Sequence, residues 1–363
     1  MAYSYVDVNL FPSLGDTKCI YQIYRFIEKL SVDSIYVEFY ISIVGVCLTI
    51  FHLIILLKVL GSSIVSIMIA TAICDLLSMI VNIASRGMIL NMQGGICTPP
   101  NTIFVNQIFW ILMSIRDNVI RCSTWLAVLM AVIRFLVSKY FSTSQFHSIS
   151  SLKFGFQAST VGVLLSSLMS INYFLCVNFG VVGIWRPAVN CTNVPLNMEA
   201  PMYEQRISDL FSMSDGMPFK VFMLVNGFLS KIIPCILLPI LSFLLAVELR
   251  RTEKNRNSTS VLFKNNTEKT TILVITMTSS LFIASLPTGI ATVFQVAYSD
   301  LGFLFLFIYV DTICNALLLS NASINCFICS AMSSQYRKTV KKVLRVSIFW
   351  KKKSDLRYSL PTD

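Results

Sequence analysis

The sequence predicts an all-α integral membrane protein, a bundle of seven transmembrane helices followed by a short amphipathic eighth helix. The first observation is composition: 55% of the 363 residues are hydrophobic and 13% are charged, whereas a typical soluble domain has roughly 25% charged residues. The second is a mean hydropathy of +0.71. The third is a series of seven apolar runs, each about as long as the roughly 20 residues that cross a bilayer. This pattern excludes a soluble enzyme, a disordered chain and a small disulfide-rich secreted protein.

The seven runs are predicted to be helices because lipid offers the backbone no hydrogen-bond partners. In chain order they are 36–57, 64–84, 103–133, 155–179, 221–247, 271–297 and 302–331. They divide the chain into an extracellular N-terminal segment, 1–35, a seven-helix domain, 36–331, and a cytoplasmic region with helix 8 and a basic tail, 332–363. Pro234 and Pro239 interrupt the fifth run and Pro287 interrupts the sixth, so kinks are expected there.

The first, third and fifth loops and the C-terminal tail together hold 19 basic residues, against 7 in the N-terminal segment and the other loops. Cytoplasmic loops of membrane proteins carry an excess of Lys and Arg. We therefore expect a multi-pass plasma-membrane protein with its N-terminus outside and its C-terminus in the cytoplasm. The same bias accounts for the net charge of +11 without nucleic acid as a partner.

Two cysteines fall together on the predicted outer face. Cys97 precedes the third run, and Cys191 lies in the long loop after the fourth. Disulfides persist in oxidising surroundings, so we predict a bridge between them that ties this loop across the mouth of the bundle. Two free thiols are the alternative, and Cys19 is a third candidate that leaves the pairing open.

Six ionisable side chains are singled out inside the runs, where each costs at least about 2.5 kcal/mol at the bilayer centre unless it faces the bundle or water. They are Asp75, Arg116, Asp117, Arg121, Lys231 and Asp311. Asp117 and Arg121 have the spacing of an intrahelical ion pair, and Asp311 is the expected counter-charge for Arg116. We interpret all but Asp75 as the lining of a polar ligand cavity open to the outside. A purely structural salt network is the alternative.

Asp75 lies near the middle of the second run, away from the other charges. Ser123 in the third run and Asn321 and Asn325 in the seventh lie at comparable depth. We predict that these four groups face one another as a central polar cluster, which could hold a small cation and waters or repack between two states. A static hydrogen-bonded plug is the alternative. The cysteines lack metal-ligand spacing, so no other metal or cofactor is expected.

Basic residues also mark the predicted cytoplasmic edge. Arg134 ends the third run at the inner boundary, where a snorkelling membrane anchor is the simpler alternative to a functional role. Beyond the seventh run, Val340, Val343 and Leu344 recur at helical spacing among basic residues. This pattern is typical of a short helix on an anionic membrane surface, although a solvated basic tail would give the same composition.

Short segments in each part of the bundle also follow a known order and spacing. They are Phe51-His52-Leu53, Ala72-Ile73-Cys74-Asp75, Cys97-Thr98-Pro99-Pro100, the stretch 125–134, Lys231-Ile232-Ile233-Pro234-Cys235, Thr270-Thr271, the stretch 282–287, Asn325-Cys326 and the stretch 332–337. With them, residues 36–345 resemble the rhodopsin-like G-protein-coupled receptors. The resemblance is stronger to the nematode serpentine receptors of class W, a chemoreceptor family akin to the FMRFamide-type peptide receptors.

The resemblance implies a receptor and not an enzyme. Such a receptor binds an extracellular ligand, with peptides as the favoured class, between its helices in the lipid bilayer, and it activates a heterotrimeric G protein. Asp75, Ser123 and Asn325 would correspond to the family's sodium-binding cluster, and Arg134 to the arginine that engages the G protein. Arg116 falls where ligand contacts cluster in these receptors.

The sequence departs from the family pattern at several switching positions. Ile133 replaces the acidic residue before Arg134, and Ser285 stands where rhodopsin-like receptors carry a tryptophan. The stretch 325–329 lacks the proline and tyrosine of the seventh-helix motif. These departures concern sodium regulation and the switching route rather than the fold.

A membrane transporter or channel that uses the intramembrane charges as a permeation path is the alternative function. Such folds commonly show inverted repeats or paired broken helices, and the two halves of this chain show no self-similarity. An intramembrane enzyme is a weaker rival. Asp75 and Asp311 lie at opposite depths, and the His-Glu-x-x-His and Gly-x-Ser-x-Gly motifs are absent from the sequence.

Overall fold

The computed structural model describes residues 10–14, 18–59, 61–91, 97–140, 148–188, 190–191, 194–195, 197–255, 281–298 and 300–345. Its first four helices are α1 (Lys18–Lys58), α2 (Ser63–Asn91), α3 (Ile103–Lys139) and α4 (Leu152–Leu175). Strands β1 (Val177–Trp185) and β2 (Ala200–Ile207) follow. The fifth helix, α5, runs without a break through Asp209–Gly227, Phe228–Ile232 and Ile233–Asn255. The remaining helices are α6 (Leu281–Ala297), α7 (Leu301–Met332) and α8, residues 334–345.

Within the described residues, six helices are long and apolar enough to cross a membrane, and α6 is a shorter apolar helix. Each of the seven predicted runs overlaps one of α1 to α7. The first part of the sixth run, residues 271–280, lies outside the described residues. The predicted seven-helix membrane bundle is therefore confirmed, and the chain is a multi-pass membrane protein.

Helix α1 buries a polar seam and turns its apolar side chains outward. The buried polar residues lie on one helical face and are Ser31, Ser34, Glu38, Ser42, Thr49 and His52. Large apolar residues such as Val44 and Ile54 are exposed on other faces. This arrangement is expected where the solvent is lipid, because polar groups must then find their partners inside the bundle.

The same seam explains why α1 begins at Lys18 rather than near residue 36. Tyr24 and Ser31 continue the buried face toward the N-terminus, so the helix extends beyond its membrane-spanning part. The predicted boundary between residues 1–35 and 36–331 therefore falls inside α1. Hydropathy alone could not place the helix start, because these first turns are amphipathic rather than uniformly apolar.

The connection between α4 and α5 is a β-hairpin, which the sequence reading did not anticipate. β1 and β2 pair antiparallel from Val177 opposite Ile207 to Trp185 opposite Ala200. The fourth predicted run ended at residue 179, but α4 ends at Leu175 and residues 177–179 belong to β1. That prediction was wrong because β-branched and aromatic residues such as Val177 and Phe179 prefer a strand when a partner is available.

Helix α5 contains one π-helical turn, Phe228–Ile232, directly before Pro234. The N–H of Ile233 bonds to the carbonyl of Phe228 instead of that of Leu229, and Pro234 has no N–H to donate. The freed carbonyl of Leu229 accepts a hydrogen bond from the Trp125 indole of α3 at 3.0 Å. The expected proline irregularity is thus a widened turn whose unpaired backbone group is satisfied across a helix interface.

Helix α8 follows a break at Ser333, and the Ser333 hydroxyl accepts a hydrogen bond from the N–H of Tyr336. The Tyr336 side chain is buried against Ile55, Leu56 and Cys329, and its hydroxyl lies 2.8 Å from His52 Nδ1. Burial raises the pKa of the Tyr336 hydroxyl above its ordinary value. The predicted eighth helix is therefore anchored in the bundle. The rest of the predicted tail, residues 346–363, lies outside the described residues.

Candidate functional site

The two ends of the bundle differ in their covalent and polar features. We call the end that carries β1, β2 and the start of α3 the hairpin end, and the opposite end the α8 end. At the hairpin end, the predicted disulfide between Cys97 and Cys191 is present. It joins the segment before α3 to the connection between β1 and β2, 94 residues later, and ties the hairpin to the bundle. Cys19 is a free, exposed cysteine.

A three-residue charge cluster lies in the hairpin-end half of the bundle. Arg116 Nη2 of α3 is 3.6 Å from Asp311 Oδ2 of α7, and Lys231 Nζ of α5 is 3.7 Å from Asp311 Oδ1. The Asn315 amide, one turn along α7, donates to Asp311 Oδ2 at 2.7 Å. The Asp311 carboxylate is therefore shared by two cations, and both N–O distances are longer than an ordinary hydrogen bond. Lys231 reaches this cluster from within the π-helical turn of α5.

Arg116 is poorly satisfied for a buried cation. Its Nε and Nη1 atoms are inaccessible to solvent and have no hydrogen-bond partner among the described residues. Two acceptors on neighbouring helices are in the same condition, Gln295 Oε1 of α6 and Asn315 Oδ1 of α7. Buried polar groups are normally paired, so this region has unused donors and acceptors that a bound molecule could satisfy.

Asp117 and Arg121, by contrast, are part of a saturated network. The two residues form the predicted intrahelical ion pair on α3. Arg121 also donates to Ser230 Oγ of α5 at 2.7 Å and to the Ser166 carbonyl and Ser170 hydroxyl of α4 at 3.0 and 3.1 Å. Only 3% of its side chain is exposed. This geometry favours a bracing role for Arg121 between three helices, whereas its assignment to ligand binding stays a prediction.

Sequence reasoning missed a second buried ion pair, formed by Glu38 of α1 and Arg86 of α2. Arg86 donates to both carboxylate oxygens of Glu38, with Nη2 3.1 Å from Oε1, and the two side chains are 0% and 5% exposed. Arg116 and Asp311 are close enough to interact electrostatically with both residues. Glu38 lies within the first predicted run and could have been recognised as an intramembrane charge. Arg86 lay beyond the predicted end of the second run, because α2 continues to Asn91.

The charge cluster around Asp311 has one positive charge in excess. Arg116 and Lys231 both face this single carboxylate. Since Arg86 and Arg121 each have a carboxylate in direct contact, the excess falls on the pair Arg116 and Lys231 around Asp311. A region with excess cation and unused donors is suited to an acceptor-bearing or anionic group.

The central polar cluster lies between this region and the α8 end. Ser123 Oγ donates to Asp75 Oδ1 at 2.7 Å, and Asn325 Nδ2 lies 3.5 Å from Asp75 Oδ2. Asn321 lines the same cavity of about 120 Å³. Asn325 Oδ1 is buried without a hydrogen-bond partner in the described part of the chain. Carboxylate, hydroxyl and amide oxygens are the ligands that hard cations prefer, so these residues fit a sodium ion, which stays a prediction.

Arg134 closes the other end of that cavity. The cavity runs from Asp75 to Arg134 between α2, α3, α5, α6 and α7, with largely apolar walls that include Leu238 and Leu281. No carboxylate forms an ion pair with Arg134 among the residues that the structure describes, which agrees with Ile133 standing in place of an adjacent acid. Of the predicted fifth loop, residues 248–270, the part from residue 256 onward lies outside the described residues.

A seven-helix bundle with a disulfide-tied hairpin at one end, buried charges below it and an arginine at the opposite end defines a seven-transmembrane receptor. The family described as "Serpentine type 7TM GPCR chemoreceptor Srw" matches residues 36–347. The chain therefore belongs to this family and is a G-protein-coupled receptor of the chemoreceptor type. The family places it among receptors rather than transporters, channels or an enzyme class.

A similarity to one curated protein agrees with the family. Over 143 residues, the chain is 29% identical to the sex peptide receptor of Drosophila melanogaster. The match covers 36% of this chain and 32% of the relative. The chain thus spans about a third of the length of that relative, which is named for a peptide ligand.

Proposed function

We propose that the hairpin end faces the exterior of the plasma membrane and that an agonist of peptide character binds there against Arg116, between α3, α5, α6 and α7. A heterotrimeric G protein then docks at the α8 end around Arg134. Activation is a population shift, since the agonist biases the bundle only by its differential affinity for two states. The disulfide supports this orientation because such bonds persist in oxidising surroundings.

The proposal rests on one observation: the buried Nε and Nη1 atoms of Arg116 have no hydrogen-bond partner among the described residues. A buried donor without a partner costs about 1–3 kcal/mol, and more when it is charged. A carbonyl or carboxylate oxygen of the agonist, placed on Nε and Nη1, removes this cost and neutralises the excess charge shared with Lys231. Peptides offer such oxygens at every residue, and the name of the Drosophila relative supports the same ligand class.

The test is a screen of peptide and small-molecule libraries against the expressed receptor with a second-messenger readout, followed by substitution. Arg116→Ala should reduce the potency of the agonist at least tenfold at unchanged surface expression, because a hydrogen bond to a charged group contributes about 1.5–3 kcal/mol. Arg186→Ala is the matched control, since Arg186 pairs with Glu199 at the exposed hairpin. Unchanged potency in Arg116→Ala would remove Arg116 from the binding site.

Coupling is tested with the same agonist. Arg134→Ala should spare agonist binding and abolish nucleotide exchange on the G protein, whereas Arg186→Ala, at the opposite end of the bundle, should leave both unchanged. Intact exchange in Arg134→Ala would mean that another group makes this contact.

Orientation is tested by labelling Cys19 with a membrane-impermeant maleimide on intact cells. Cys19 is exposed near the hairpin end, so it should react from outside, and the signal should vanish in Cys19→Ser. Cys176 will not compete at neutral pH, because burial raises the pKa of its thiol to about 11. Labelling that requires permeabilised cells would reverse the proposed orientation.

A further inference from the structure

Residues 10–14 lie across the tips of α1 and α7 in the manner of a bound peptide. The N–H of Leu10 donates to the Tyr21 hydroxyl of α1 at 3.2 Å, and the Leu10 carbonyl accepts from the N–H of Gly302 at 2.8 Å. Ser13 donates twice to Asp300, from its N–H at 3.0 Å and from its hydroxyl at 2.7 Å. The backbone of this segment is thus held at Leu10 and at Ser13 by the start of α7, which lies almost 300 residues later in the chain.

The intervening residue, Phe11, fills an aromatic box. Its ring is 1% exposed and meets three rings edge-on, those of Tyr21, Tyr24 and Phe303, at centroid distances of 6.0, 5.8 and 5.2 Å. Edge-to-face pairs of this kind add about 0.5–1.5 kcal/mol each beyond the area they bury. The geometry of the box therefore suits an aromatic side chain better than an aliphatic one.

Gly302 shows that the bundle is shaped around this segment. A Cβ atom at position 302 would lie 2.5 Å from both the Leu10 carbonyl oxygen and Phe11 Cε1, closer than packed atoms tolerate. Only glycine at the first turn of α7 admits the segment in this position. Beside Phe11, a cavity of about 250 Å³ between Tyr24, Tyr298 and Phe303 remains open.

We propose that the hairpin end carries a peptide-binding site, distinct from the Arg116 region, which takes a short segment with one aromatic residue and which the receptor fills with its own residues 10–14. Main-chain hydrogen bonds for affinity and a side-chain box for specificity are the general features of peptide recognition. Because the occupant is tethered, it competes with any free peptide at an effective concentration in the millimolar range. The site lies about two to three helical turns from Asp311 on α7, so its occupant also fixes the start of the helix that carries the Arg116 counter-charge.

The test measures binding of a free copy of the segment and needs neither agonist nor G protein, so its failure is separate from a failure of the proposed function. The probe is a fluorescent peptide of residues 7–17, with a second peptide in which the residue equivalent to Phe11 is Ala. Receptors in nanodiscs are the unmodified chain, Phe11→Ala, Phe11→Ala with Gly302→Val, and Phe26→Ala. Phe26 is the matched control because it is an exposed phenylalanine on α1.

Phe11→Ala should bind the probe at least tenfold more tightly than the unmodified chain or Phe26→Ala does, because its tethered competitor has lost the anchoring ring. The Ala peptide should bind at least tenfold more weakly, and Gly302→Val should abolish binding. Equal affinity for the two peptides, or no gain in Phe11→Ala, would overturn the proposal and leave residues 10–14 as a fixed part of the fold.

A second design removes any dependence on the folding of Phe11→Ala. A protease site inserted at residue 16 allows the chain to fold with the segment in place before it is cut and washed out. The cut receptor should then bind the probe, whereas the uncut receptor should not. Absence of binding after verified cleavage and release would also overturn the proposal.

Discussion

Glu38 of α1 and Arg86 of α2 form an ion pair that is removed almost completely from solvent, with side chains 0% and 5% exposed. Removing one partner of such a pair leaves an uncompensated buried charge and typically costs about 3–5 kcal/mol, whereas replacing both by apolar residues is often neutral. We therefore expect Arg86→Met to lower the thermal stability of the purified receptor strongly, and Glu38→Leu combined with Arg86→Met to restore most of it. A double variant that unfolds as early as the single one would show that the pair has a role besides mutual neutralisation.

The matched control for this cycle is the exposed pair of Arg186 and Glu199 in the hairpin, with side chains 71% and 50% exposed. Glu199→Gln should change stability by less than about 1 kcal/mol, since solvent screens such pairs.

Cleavage of the Cys97–Cys191 disulfide should destabilise the hairpin end. Cys97→Ser is expected to lower the free energy of unfolding by about 2–5 kcal/mol, because the loop that the bond closes spans 94 residues. Cys191→Ser and the double variant should behave alike, as both remove the same bond. Cys19→Ser, at a free and exposed thiol, should have no effect. Thermal unfolding in detergent measures all four.

Sodium should stabilise the receptor through Asp75. If the oxygens around Asp75 hold a sodium ion, then sodium at ten times its dissociation constant adds about 1.4 kcal/mol to the folded state. Replacing sodium by choline at constant ionic strength should lower the unfolding midpoint of the unmodified chain and leave that of Asp75→Asn unchanged. Asp209→Asn is the control, because it removes an exposed acid at the start of α5 and should keep the sodium dependence of the unmodified chain. Equal sodium dependence in Asp75→Asn would place the ion elsewhere.

Loss of the hydrogen bond between Tyr336 and His52 should lower the stability of the receptor modestly. Tyr336→Phe keeps the ring packed and removes only the hydroxyl, so the expected loss is about 1–3 kcal/mol, the cost of a buried polar group left without its partner. Tyr40→Phe, at an exposed position on α1, should be neutral.

The raised pKa of Tyr336 adds a pH dependence. An unfolded tyrosine loses its proton near pH 10, whereas the buried one keeps it, so the folded state binds more protons above that pH. Stability should therefore fall as pH rises beyond about 10, and less steeply in Tyr336→Phe. Unfolding midpoints measured between pH 8 and pH 11 test the difference in slope.

The positions of the helices could be predicted from the sequence, but most of the residues at which they begin and end could not. Seven apolar runs predicted seven helices because backbone satisfaction in lipid leaves no alternative. The ends of α1, α2 and α4 were missed because they depend on neighbours: α2 continues past residue 84 since Glu38 neutralises Arg86, and α4 stops at Leu175 since β2 offers β1 a partner.

The candidate site was predictable where charges stood out against an apolar background. Arg116, Lys231 and Asp311 were singled out, and Arg116 and Lys231 each lie within 4 Å of Asp311. The segment 10–14 could not be predicted, because five residues carry no periodicity. Its position depends on Asp300, 287 residues from Ser13.

The π-helical turn in α5 has a consequence for the rotational register of that helix. Each residue rotates an α-helix by about 100°, and a π turn holds the equivalent of one inserted residue. Deleting Leu229 would restore ordinary α-helical winding. The part of α5 before the deletion and the part that carries Leu238 would then be rotated relative to each other by about that angle. One extra residue thus lets a single helix present Lys231 to Asp311 and, two turns later, Leu238 to the Arg134 cavity.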